Sequence, residues 1–109
     1  MPKGLLIVES RPADPARVDE YNDWYANTHM PEVCAVPGFV AARRYRVRDE
    51  SGGDRYIAVY DIDSDDLTAP LRDLRARSGD GRARAAAVVS MDPPPVVTLC
   101  ELVDEVAVN

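Results

Sequence analysis

The chain has 109 residues, 46% of them apolar and 29% charged, which fits one domain spanning 1–109 with a modest core. Lys and Arg number 13 against 19 Asp and Glu, a formal net charge of −6. An acidic chain without a Lys/Arg block argues against nucleic acid and against a membrane as partner, and the longest apolar runs are strand-sized. Lys3 is followed by only Gly4 to Val8 before Glu9, too short for a signal peptide, so a cytoplasmic protein is expected. Cys34 and Cys100, the only cysteines, read as ordinary half-buried thiols of a reducing compartment. The single histidine, His29, cannot complete a zinc site with them, so no metal is expected.

In chain order, Gly4 to Glu9 reads as a first strand, an unbroken apolar run ended by Ser10-Arg11-Pro12. Asp14-Pro15 is a helix start signal, and the helix should run from about Ala16 to about His29, with Pro31 and Pro37-Gly38 closing it. Phe39 to Arg48 and Arg55 to Asp63 read as a hairpin around the turn Glu50 to Asp54. Ser64-Asp65-Asp66 is a cap for a second helical region. Pro70 and Ser78 to Gly81 should break that region into short helices over about 71–77 and 82–89. After the stiff Pro93-Pro94-Pro95 connector, Val96 to Val103 reads as the last strand, which the tail could extend. The order β-α-β-β-α-β is the ferredoxin-like, split βαβ arrangement, an α+β fold with a four-stranded antiparallel sheet and helices on one face.

The strands are apolar on both sides. Leu5 and Ile7 oppose Leu6 and Val8, Ile57 and Val59 oppose Tyr56, Ala58, Tyr60 and Ile62, and Val96 and Cys100 oppose Val97 and Leu99. Two helices cover one face only. The other would leave on the order of several hundred Å² of apolar surface in water. At roughly 25 cal/mol per Å², its burial is worth several kcal/mol or more. A homodimer packed sheet on sheet is therefore expected.

On a helical wheel of about 100° per residue, Val18, Tyr21, Tyr25 and Thr28 share one side with Trp24 at its margin. Asp19, Glu20, Asp23 and Asn27 fall on the solvated side. Asn22, Tyr25 and His29 line one edge of the buried stripe, as a pocket between helix and sheet would need. His29 is the natural candidate for proton transfer, with an ordinary pKa of about 6.5. A histidine at a helix C-terminus can also merely satisfy terminal carbonyls. On the second strand Arg43 and Tyr45 share a face with Phe39, Ala41 and Val47, and Arg44 and Arg46 share the other with Val40 and Ala42. Arg43 can bind an enolate or carboxylate, or pair with Glu9 or Asp61 across the sheet. Tyr60 is placed to pair with the Tyr45 side of the hairpin. Arg72, Arg75, Arg77, Arg82 and Arg84 read as a solvated helix face.

Tyr21-Asn22-Asp23-Trp24-Tyr25, His29-Met30-Pro31-Glu32, Val36-Pro37-Gly38-Phe39 and Ala42-Arg43-Arg44-Tyr45 together resemble the EthD-like branch of the dimeric α/β-barrel superfamily. The likeness is sharpest over residues 21–46, and the strand order extends it to nearly the whole chain. It implies a homodimeric α/β barrel whose pocket lies between sheet and helices, and chemistry without metal or organic cofactor on phenolic or polyketide-like substrates. Carried over by position, His29 matches the histidine that ends the first helix, Trp24 and Tyr25 the aromatic positions before it, and Arg43 and Tyr45 second-strand positions that can reach a pocket. The second histidine of some cyclases is absent.

The expectation is a cofactor-independent cyclase, dehydratase, isomerase or decarboxylase acting on an aromatic or polyketide-like small molecule. His29 would be the catalytic acid or base, and Asn22, Trp24, Tyr25, Arg43, Tyr45 and Tyr60 would bind substrate. The alternatives are a cofactor-free monooxygenase of the same fold and a non-catalytic small-molecule-binding or stress-response dimer.

Overall fold

A computed structural model describes residues 3–48, 55–77 and 88–108. β1 (Lys3–Ser10) is the expected first strand. Asp14 caps the turn after it, its carboxylate accepting from the Ala16 amide at 2.9 Å with Pro15 leading the 3₁₀ turn Pro15–Arg17. Then come α1 (Val18–Trp24), a π-helical turn (Tyr25–His29) and α2 (Met30–Cys34), joined through residues that keep right-handed helical dihedrals. The helix thus neither ends at His29 nor stops at Pro31, as the sequence suggested. The Met30 amide donates to the Tyr25 carbonyl five residues back. A turn widened in this way is one of the means by which a helix passes a proline. Pro31 then falls in the first turn of α2, where its missing N–H costs least.

Gly38 turns the chain from α2 into β2 (Phe39–Arg46) with a φ of 102°, and a Cβ there would lie 2.5 Å from Pro70 Cγ. Both facts select glycine. Gly38→Ala is expected to cost roughly 1–3 kcal/mol, read as a lower urea midpoint at unchanged slope. An unchanged midpoint would show that this turn relaxes freely.

β3 (Tyr56–Asp63) pairs antiparallel with β2, and the turn expected at 50–54 lies outside the described residues. α3 (Thr68–Arg77) is capped by Asp66, whose carboxylate accepts from the Thr68 amide at 2.9 Å and hydroxyl at 2.7 Å. Pro70 does not break this helix. It sits in the first turn, buried, while Leu71 and Leu74 pack on the core beside Leu67. The helix expected over 82–89 lies mostly outside the described residues. Its last members, Val88 and Val89, are buried, and Val89 bridges to Pro12. β4 (Val96–Glu101) stops short of Val103, and residues 102–108 carry no regular structure.

The strand order is β2-β3-β1-β4, every neighbouring pair antiparallel. This is the ferredoxin-like α+β fold. Leu6, Ala58, Tyr60 and Ile62 face the helices and form one core with Tyr21, Tyr25, Val33, Val36 and Phe39. The outer face carries Leu5, Ile7, Ile57, Val59 and Val96.

The hairpin corrects one expectation with consequences for the site. Phe39 pairs with Ile62 but Ala41 with Asp61, so Val40 is an extra residue in β2. A one-residue bulge exchanges the faces of everything beyond it. Phe39 therefore points into the core together with Ala42 and Arg44, whereas Arg43 and Tyr45 go to the outer face. Tyr45 opposes Ile57 and Tyr60 opposes Ala42, so the expected Tyr60–Tyr45 pairing does not occur.

Candidate active site

The helix that carries His29 explains where the imidazole goes. In a regular α-helix, residues five apart stand about 140° apart on the wheel. The π-turn closes that gap and brings His29 over Trp24. Their rings stack with centroids 4.5 Å apart and planes 15° from parallel. Tyr25 meets the imidazole edge-on at 5.2 Å, and Tyr60 approaches from the sheet at 6.4 Å. π-turns recur at functional sites because they re-aim single side chains in this way.

Burial dominates the electrostatics. His29 is half-buried among three aromatic rings, and desolvation lowers its pKa from 6.5 to about 4. It is a neutral imidazole throughout the physiological range. Burial raises Tyr21 to about 12, with Tyr25 and Tyr60 also raised by desolvation, so all three phenols stay protonated. The Ser10 hydroxyl, itself buried, holds two of them: it lies 2.6 Å from the Tyr21 hydroxyl and 3.1 Å from that of Tyr25.

Arg44 rises from β2 into this aromatic group. Its guanidinium lies over the rings of Tyr25 at 4.4 Å, Tyr56 at 5.0 Å and Tyr21 at 5.2 Å, and Nη2 donates to Asn22 Oδ1 at 3.0 Å. Two buried polar atoms in the group have no hydrogen-bond partner among the described residues, Arg44 Nε and the Tyr60 hydroxyl.

The expected site residues thus divide. Asn22, Trp24, Tyr25, His29 and Tyr60 come together between helix and sheet. Arg43 and Tyr45 stand on the opposite face of the sheet. There Arg43 donates twice to the Asp61 carboxylate, at 2.9 and 3.0 Å, and Tyr45 is 52% exposed. Ser10, Tyr21, Arg44 and Tyr56 join the cluster without having been picked out. Ala58, the small residue opposite Arg44 between two tyrosines, is the one hint in the sequence that a long side chain crosses there.

Among the described residues no group of three His, Cys, Asp or Glu side chains is placed to hold a metal ion. None of their helices is long and apolar enough to cross a membrane. A cavity of about 480 Å³ lies away from His29, at one end of the outer face between Leu5, Val40, Asp61, Cys100 and the tail residues Leu102 and Val103.

Comparison with solved structures agrees with this architecture. A dimeric ferredoxin-like protein from an uncultured marine organism superposes with a TM-score of 0.67 at 15% identity, over 97% of this chain and all of the other. A monooxygenase from Streptomyces coelicolor, the product of ActVA-Orf6 solved with nanaomycin D, gives 0.67 at 17% identity, over 97% and 93%. An EthD family protein from Bacillus halodurans gives 0.56 at 17% identity, over 91% and 96%. No protein-family model matches the sequence, and no curated protein sequence does. The fold is therefore that of the dimeric ferredoxin-like proteins, including those of EthD and monooxygenase type, and at these identities the likeness is one of fold.

Proposed function

We propose that this chain forms a homodimeric, cofactor-independent enzyme that moves a proton on an aromatic or polyketide-like small molecule. The observation that carries the reading is His29, a neutral imidazole stacked on Trp24 and walled by Tyr25 and Tyr60. A flat, apolar substrate suits such walls, and a neutral imidazole is the form that accepts a proton. Asn22, which already accepts from Arg44, fixes the polar end of the cluster. Removing an enolic proton gives the nucleophilic carbon of a cyclisation and begins an isomerisation, and the imidazolium so formed can return its proton to a leaving hydroxyl in a dehydration or to the carbon left by a decarboxylation. The apolar outer face, with Val40 and Tyr45 projecting from it, supports the dimer. Both cysteines are free thiols, which suits a cytoplasmic location.

One finding favours a second reading. The similar Streptomyces coelicolor structure is a monooxygenase. In that reading the same deprotonation makes an electron-rich anion that reacts with oxygen. Anthrone separates the two, since its oxidation by one O₂ yields anthraquinone and one H₂O. Oxygen uptake that matches quinone formation would establish the oxygenase reading. The first reading expects no uptake, and a product formed anaerobically from a poly-β-carbonyl substrate, seen by mass spectrometry. Binding of both compounds without any product would reject catalysis.

A further inference from the structure

Arg44 poses a question that the His29 reading leaves open. A guanidinium drawn under a helix normally meets a carboxylate, because an uncompensated buried charge is costly. Here, among the described residues, Arg44 has one amide oxygen and three aromatic faces, and no ion pair. The chain carries 19 carboxylate side chains, and the neighbouring Arg43 engages one with both nitrogens. The inward-facing arginine of the pair meets no carboxylate among the described residues.

The second observation is independent. The Tyr60 side chain is 1% exposed, yet its hydroxyl has no hydrogen-bond partner among the described residues, and neither does Arg44 Nε. A buried donor left unmatched is costly, because the hydrogen bond it made to water in the unfolded chain is not replaced. Tyr60 and Arg44 are diagonal neighbours on the helix-facing side of adjacent strands, since Tyr60 opposes Ala42 and Arg44 opposes Ala58. Tyr25 touches both Arg44 and His29, and His29 meets Tyr60.

We infer that Arg44 and Tyr60 form an anion-binding site for the ionised oxygen of a phenol or enol. The inference rests on the reading of His29 as the base and names the chemistry of its substrate. His29 takes the proton from the substrate oxygen, and the electron pair stays there as an oxyanion. Arg44 Nε–H and the Tyr60 O–H then donate to that oxyanion. The cation–π contacts hold the guanidinium while the site is free.

The test uses alizarin, a hydroxyanthraquinone whose visible band reports ionisation, with unsubstituted anthraquinone as its neutral counterpart. Bound to the full chain, alizarin should ionise at least one pH unit below its value in water, a tenfold or greater preference for the anion. Arg44→Gln should abolish that shift while anthraquinone binding stays within threefold of wild type. Arg44→Lys should keep most of the shift, and Tyr60→Phe should reduce it. If bound alizarin titrates as it does in water, the anion site is overturned while the aromatic reading stands. A shift that survives Arg44→Gln overturns the assignment equally. If neither dye binds, both readings fall. The wild-type titration decides the matter even should Arg44→Gln not fold.

Discussion

Replacing His29 with Gln is expected to lower kcat/KM toward a phenolic or enolic substrate by roughly 10²–10⁴-fold. The pH profile should be the more telling result. A surface histidine acting as base would lose activity as the pH falls through about 6.5. His29 is held at about 4 by desolvation, so kcat/KM should stay level through mildly acidic pH and fall only as the pH nears 4. The same shift acts on stability. The folded chain binds the proton at about 4, whereas the unfolded chain binds it at about 6.5. Between those values the unfolded state holds more protons, so stability is complete above 6.5 and declines as the pH falls toward 4, by at most about 3 kcal/mol. His29→Gln should flatten that slope. Urea midpoints at pH 5 and 7.5 for both proteins measure it, and substrate turnover from pH 4 to 8 measures the rest. An acid limb at 6.5 in the wild type, or full turnover in His29→Gln, would remove the imidazole from the chemistry.

Much of this molecule is legible in its sequence because its signals are local. The apolar run of β1, the Asp14-Pro15 start, the aromatic stripe of α1 and the Asp66 cap each follow from a few adjacent residues, and together they impose the βαββαβ order. Two features escape local reasoning. The π-turn at Tyr25–His29 changes the angular step, so a wheel drawn at a constant angle cannot bring His29 onto Trp24. The bulge at Val40 exchanges the faces of β2, and no turn residue marks it. A continuous alternation keeps Arg43 and Tyr45 on the face of Phe39, whereas in the fold Phe39 shares its face with Arg44. One residue of register decides which arginine enters the aromatic cluster and which meets Asp61.

The outer face supplies the second large effect. Ile7 lies near its middle, opposite Val59 on β3 and Thr98 on β4. In a dimer joined through this face each substitution occurs twice, because a two-fold axis presents the same patch from both copies. Ile7→Lys would place two ammonium groups in the seam, where the nearby outer-face carboxylates Glu9 and Asp61 are already paired with Arg55 and Arg43. At roughly 3–5 kcal/mol for an uncompensated buried charge, the dimer dissociation constant should rise at least about 10³-fold. Sedimentation velocity at micromolar concentration should then show monomers for Ile7→Lys and dimers for wild type. Asp23→Lys, on the solvated side of α1, should leave the dimer intact. A wild-type protein that sediments as a monomer would overturn the assembly. Because His29, Trp24, Tyr25 and Tyr60 come from one chain and lie on the other side of the sheet, dye binding by the Ile7→Lys monomer separates the two roles. Binding should survive with weakened affinity if the dimer merely stiffens the sheet. Its complete loss would mean that the partner copy helps to build the site.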